Sequence, residues 1–374
     1  MILGLLRYLI LFLIIGNMPA YMLVYFGPSY GSAASYLTSF LLIVYFVFVK
    51  SWSRPLFPFL LLGILYFTLG GVNYVKYDPS NYFLKEFLRF MILVVCAPEV
   101  LKRTKHRDIF YLALVGAFSV VVNAMVFPES NMIHGLVIGR YSGFYLNPNS
   151  AGTVCLIGFA LSYSIKSIKW RYMGQFAFTL AGLLTLSRTF IVVWLLINIF
   201  AIYRQKRNVW VPFIGAAVLV LVLTFTDRTI FAADRFEALS SFFDEGPVKT
   251  KTIKHDSRTA TWAQYYPLIS EKPLLGHGFG SFQTKENNLP GAHNGFLLVI
   301  GEAGIIPFFL FLGVYIYLLV CSLKIFKQYP EILYMCLVLI LALMASHTYF
   351  TSYFIVFMSM YLYIKLRHYR VPHT

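Results

Sequence analysis

Apolar residues run along this chain in stretches of about twenty, divided by short polar breaks, and the pattern recurs twelve times. A helix of that length crosses the hydrocarbon core of a bilayer. The stretches begin near Ile2, Ser32, Leu56, Tyr82, Ile109, Asn149, Tyr172, Arg188, Val209, Asn294, Glu331 and Phe350. They predict an all-α integral membrane protein of about twelve transmembrane helices. Asn17 and Pro19 interrupt the first run, so a break or kink is expected there. No internal repeat and no low-complexity tract accompanies the pattern.

The polar breaks alternate in charge. Lys50 and Arg54, then Lys102 to Arg107, Lys166 to Arg171, Arg204 to Arg207, Lys324 and Lys327, and the tail Lys365 to Arg370 hold 17 of the 31 Lys and Arg residues. Basic connections stay in the cytoplasm, so this alternation places both termini there. One connection is long: residues 227–293, between helices 9 and 10, form a polar loop on the outer side. Residues 1–226 then carry helices 1–9, and residues 294–374 carry helices 10–12 and the tail. Long loops escape the charge rule, so the eight Lys and Arg residues from Arg228 to Lys285 leave the topology intact. Trp262, Tyr265, Tyr266, Pro267 and Phe279 indicate an ordered piece. The first run, with Arg7 ahead of most of it, resembles a signal peptide but lacks a small-residue cleavage site, and reads as an uncleaved span.

Composition agrees. The chain is 59% hydrophobic and 12% charged, about half the charge of a soluble domain. A net charge of +16 would point to nucleic acid in a soluble protein. Here the cytoplasmic connections account for most of it, and no basic-aromatic nucleic-acid module is present. Cys96, Cys155, Cys321 and Cys336 all lie in apolar runs without metal or redox spacing.

Candidate chemistry sits on the outer side. Arg140-Tyr-Ser-Gly143-Phe-Tyr-Leu-Asn147-Pro148-Asn149 leads into the sixth helix. Its Asn-Pro-Asn reads as a turn and helix cap, which leaves Arg140 unexplained. Ser187-Arg188-Thr189 forms nearly the whole connection between two spans, and Arg188 either snorkels to the interface or faces a polar cavity. The long loop carries Arg258, Trp262 and Gly276-x-Gly278-x-Gly280, followed by His293-Asn294 and by Glu302 and Gly304. Lys85 and Arg89 share a face of the fourth helix, where Arg89 either pairs with Glu86 or both cations hold a lipid phosphate. Arginines match pyrophosphate oxygens through paired, charge-assisted hydrogen bonds. A histidine takes a proton from an attacking hydroxyl near neutral pH. No Asp-x-Asp pair lies on an outer loop, so neither a metal site nor a cofactor is expected.

In order and placement, Arg140…Gly143…Asn147-Pro148-Asn149, Ser187-Arg188-Thr189, Arg258…Trp262…Gly276-x-Gly278-x-Gly280 and His293-Asn294…Glu302…Gly304 resemble the O-antigen ligase/polymerase family. The resemblance implies a glycosyltransferase of the bacterial inner membrane, acting on the periplasmic face. Such an enzyme moves a glycan from undecaprenyl pyrophosphate to a sugar hydroxyl, without metal and with inversion. The acceptor is another lipid-linked repeat unit in a polymerase and lipid A core in a ligase. Carried over by position, Arg188 and Arg258 would hold the pyrophosphate and His293 would activate the acceptor. Arg140 would assist in substrate or loop positioning, with Asn147, Asn149, Lys85, Arg89, Trp262 and Asn294 as further substrate-binding candidates. The implied partners are the lipid-linked donor and acceptor, membrane lipids, a chain-length regulator and a flippase. Asn-Pro-Asn leans the reading toward polymerase. The ligase and a protein O-oligosaccharyltransferase stay open. A transporter would fit the helix count but not the missing repeat or the single large loop, and a purely structural membrane partner would leave the outer Arg and His set without a purpose.

Overall fold

The computed structural model describes residues 2–49, 52, 54–75, 82–131, 139–225, 258–283, 289 and 291–370. Every regular element among them is a helix, and a helix stands on each of the twelve apolar stretches. The first stretch divides into α1 (Ile2–Ile15) and α2 (Met18–Tyr25), bent by 59°. Asn17 at the bend is left-handed, with φ +55°, and Pro19 in the first turn of α2 has no N–H to continue the ladder of α1. There follow α3 (Pro28–Phe48), α4 (Phe57–Val72), α5 (Phe83–Lys102), α6 (His106–Val126), α7 (Pro148–Ser162), α8 (Ile168–Leu184), α9 (Arg188–Arg204) and α10 (Trp210–Phe225). Among the described residues α3, α6 and the later α14 are each long and apolar enough to cross a membrane alone, and the bent pair makes a fourth.

Within the long connection, α11 (Arg258–Ala263) and α12 (Tyr266–Glu271) precede a glycine-rich turn. Of the loop expected over 227–293, residues 227–257, with Arg228 and Arg235, lie outside the described residues, as do 226, 284–288 and 290. The tenth stretch, expected as one helix from Asn294, is two: α13 (Gly295–Ala303) and α14 (Ile305–Lys324). Gly304 divides them at φ +83°, where a Cβ would lie 2.0 Å from the Leu274 carbonyl oxygen. The break is therefore held by the turn packed against it. α15 (Pro330–Leu343) and α16 (Tyr353–Arg370) complete the bundle.

The centre of the fold is α7. Every residue from Ala151 to Ser162 is buried, against α6, α8, α9 and α15. Small residues let the helices close in where hydrocarbon offers no hydrophobic drive; a Cβ on Gly158 would meet the Phe178 ring at 2.3 Å. The outer surface is apolar instead of charged, with Phe40 of α3 and Phe309 of α14 each 60% exposed. A soluble protein does not tolerate such continuous apolar exposure.

The basic connections bond to one another at one end of the bundle. Arg7 pairs with Asp108 at 3.7 Å and donates to the Arg103 carbonyl. Lys365 donates to the Thr104 carbonyl at 2.9 Å, Arg171 to Asn208 at 2.9 Å, and Arg204 to the Lys327 carbonyl at 3.1 Å. The segments singled out for chemistry lie at the other ends of α1, α6, α7 and α9.

Candidate active site

Two of the helices begin at one place. The N-termini of α7 and α9 border a cavity of about 150 Å³ whose lining includes Asn147, Asn149, Thr189, Ser346, His347 and His293, which precedes the cap of α13. Aligned peptide dipoles make a helix N-terminus favourable to negative charge, so the two beside one space favour an anion there.

Side chains fix these N-termini to each other. Asn147 caps α7, its side-chain oxygen accepting from the Asn149 N–H at 2.8 Å. Asn149 Oδ1 in turn accepts from Ser187 Oγ at 2.9 Å and from Arg140 Nη2 at 3.3 Å. Arg140 Nε donates to the Thr185 carbonyl at 3.1 Å, and the Tyr141 N–H to Leu184 O at 3.2 Å. Ser187 caps α9. Arg140 is thus a buried strut, 6% exposed, joining residues 140–149 to the Ser-Arg-Thr connection. Arg188 is exposed, on the first turn of α9 beside the cavity-lining Thr189.

His293 is exposed, with a left-handed backbone at φ +43°, a conformation costing of order 1 kcal/mol for a residue other than glycine. Asn294, next to it, is the cap of α13, its Oδ1 accepting from the N–H groups of Phe296 and Leu297 at 2.9 and 3.2 Å. The His293 ring faces that of His347, with centroids 4.9 Å apart. His347 comes from the connection between α15 and α16. Burial, and then the nearby His293, push its pKa down to about 4.

The glycine-rich turn carries the end of the long loop back to the bundle. The N–H groups of His277 and Gly278 donate to Gly301 O and Glu302 O at 2.8 and 3.0 Å, and that of Phe279 to Gly70 O at 2.8 Å. Gly278, at φ +95°, admits no side chain, because a Cβ would lie 2.2 Å from the Asn73 carbonyl oxygen. Phe279 fills a nest of aromatic rings from Tyr66, Phe67, Tyr74 and Phe83. Glu302, fully buried, anchors the turn: its carboxylate accepts from the Tyr66 hydroxyl, from the Phe282 N–H at 3.1 Å and from the Gln283 amide at 3.0 Å.

Other expected site residues stand apart. Arg258 opens α11, and its side chain lies outside the described residues. Trp262 is half-buried on α11, its Nε1 without a hydrogen-bond partner among the described residues. Lys85 and Arg89 line a separate groove of about 650 Å³ between α3 and α5. There Arg89 pairs with Glu86 at 2.7 Å and donates to the Tyr353 hydroxyl at 3.0 Å, while Lys85 sits over the rings of Tyr36 and Tyr82. The groove adjoins the cavity, since Ser352 and Phe354 on either side of Tyr353 line it. Two partners went unread in the sequence: His347 and Tyr66. Ser346-His347-Thr348, a polar triplet between two apolar runs, was the available signal for the first.

Residues 174–312 match the O-antigen ligase family. The match runs from α8 into α14 and takes in Ser187-Arg188-Thr189, Arg258, the glycine-rich turn, His293 and Glu302. The Arg140 segment and His347 lie outside it. No curated protein and no solved structure matches the chain. The family's members are glycosyltransferase-type membrane enzymes, ligases and polymerases, that handle lipid-linked glycans.

Proposed function

We propose that this protein joins undecaprenyl-pyrophosphate-linked oligosaccharide repeat units into a surface polysaccharide on the periplasmic face of the bacterial inner membrane. Twelve spans carry the site, with both termini cytoplasmic and the cavity open to the periplasm. The observation that carries the reading is the meeting of the N-termini of α7 and α9 with His293 around one cavity, Arg188 standing next to its lining residue Thr189. Those parts suit displacement of an anionic leaving group by a hydroxyl.

The acceptor oxygen attacks the anomeric carbon from the face opposite the pyrophosphate. Its proton passes to His293 as the new glycosidic bond forms. The bond from the anomeric carbon to the pyrophosphate oxygen breaks, and its electron pair leaves with the lipid pyrophosphate. Arg188, Arg258 and the N-terminus of α9 meet the charge that develops there. Neither metal nor cofactor enters the step, and the configuration inverts. Arg140 acts through Asn149 and Ser187, keeping α7 and α9 in register. Trp262 contributes a sugar-facing ring from the loop, Asn147, Asn149 and Asn294 line or shape the acceptor side, and Lys85 and Arg89 serve the lipid phosphate in the adjoining groove.

Transfer to lipid A core is the second reading, favoured by the description of the matched family as O-antigen ligase. Asn147-Pro148-Asn149, a helix cap, distinguishes neither acceptor. The purified protein is supplied with the lipid-linked repeat unit from its source organism, in the absence of metal. A ladder of lengthened glycans establishes the polymerase. Product only after lipid A core is added establishes the ligase, and no product with either overturns the transferase reading.

A further inference from the structure

We propose that the acceptor's reacting hydroxyl sits against a pair of adjacent histidine rings, with His347 holding it alongside His293. The inference rests on the transferase reading and adds a residue and a binding subsite that the family match does not reach. Both rings line the same cavity, 4.9 Å apart between centroids. His347 Nδ1 is buried without a hydrogen-bond partner among the described residues. The ring therefore meets the cavity through its other edge, where a sugar hydroxyl exchanges a hydrogen bond with Nε2.

The cavity volume, about 150 Å³, is roughly that of an engineered protein cavity that takes one benzene ring, so it admits the hydroxyl-bearing edge of a sugar. Its polar lining, from Asn147, Asn149, Ser346 and Thr348, suits the remaining hydroxyls. The titratable side chains on the lining, among the described residues, are Tyr145, His293 and His347. Arg140 reaches its edge through Asn149, and Arg188 adjoins it through Thr189. With its pKa held near 4, His347 stays a neutral imidazole at working pH. It orients the hydroxyl by a hydrogen bond and keeps no proton, which passes to His293 and then to water.

Gly291 offers an independent handle. A Cβ there would sit 3.4 Å from His347 Cε1 and 3.6 Å from His293 Nε2. Alanine at this position fits without displacing either ring and narrows the space beside both.

The test uses the full-length protein, its lipid-linked donor at fixed concentration, and the repeat-unit oligosaccharide on an inert aglycone, which can accept but not donate. His347→Phe keeps the ring and removes both nitrogens; His347→Gln keeps a donor and an acceptor. His347→Phe is expected to raise the acceptor KM about tenfold, the equivalent of one hydrogen bond, and to leave the donor KM unchanged. His347→Gln recovers part of the loss, and Gly291→Ala raises the acceptor KM at an unchanged thermal midpoint. Wild-type acceptor KM in both His347→Phe and Gly291→Ala overturns the inference while the transferase stands. So does a loss in His347→Phe alone that tracks a lowered thermal midpoint. A wild-type protein that transfers nothing to this acceptor or to lipid A core removes both.

Discussion

Replacing Glu302 with alanine asks what holds the end of the long loop beside the site. The carboxylate accepts from three donors: the Tyr66 hydroxyl, the Phe282 N–H at 3.1 Å and the Gln283 amide at 3.0 Å. Tyr66 and Phe282 are 0% and 1% exposed, so water does not replace the lost acceptor for either. At about 1–3 kcal/mol for each buried donor left unpaired, the two together cost roughly 2–6 kcal/mol. For a chain of 374 residues that lowers the thermal midpoint by about 3–8 degrees. Glu302→Gln keeps one carbonyl oxygen, and Gln283 and the Tyr66 hydroxyl can each turn to accept from its amide. Its loss should be less than half that of alanine. The assay is thermal unfolding of purified protein in detergent, followed by limited proteolysis within residues 272–283. An alanine variant within two degrees of wild type and equally resistant to cleavage would refute the anchoring role.

Other outcomes follow from the same contacts. Arg140 and Ser187 share Asn149 Oδ1, so a double-mutant cycle with Arg140→Ala and Ser187→Ala should show coupling of about 1 kcal/mol or more in the free energy of transfer; additive losses would contradict the strut. Gly116→Ala places a Cβ 1.9 Å from the Tyr145 hydroxyl. It should cost about 1–3 kcal/mol of stability and slow transfer by shifting a cavity-lining ring, read as midpoint and rate. His347 is held neutral in the folded protein down to about pH 4, whereas unfolded it protonates at its ordinary 6.5. The unfolded state therefore binds the extra proton in that window, and stability falls as pH drops from 6.5 toward 4, by on the order of 2–3 kcal/mol. His347→Gln should flatten this slope in thermal scans, and an unchanged slope would count against the buried neutral ring.

Helix positions were legible because an apolar run of span length has few ways to fold in a bilayer. The break at Asn17 was readable from a proline two residues on. The division of the tenth stretch was not: Gly304 reads as one of several glycines until the Leu274 carbonyl is seen packed against it. Arg188 and His293 could be singled out as charged or titratable groups at a membrane face. The Arg140–Asn149–Ser187 junction could not, since its members lie 9 and 38 residues apart along the chain and meet only when α7 is enclosed. His347 was missed for the same reason, its partner being contributed by a distant connection. Asn147 and Asn294 carry a strong local signal that the fold spends on capping two helices.

The most direct test of the central claim compares wild-type protein with His293→Ala, reconstituted with the lipid-linked repeat unit and a chelator, and scores released lipid pyrophosphate with lengthened or transferred glycan. The account predicts steady product from the wild type and, since loss of a general base costs about 10²–10⁴-fold, next to none from a variant that unfolds at the same temperature. Product from His293→Ala at the wild-type rate would contradict it.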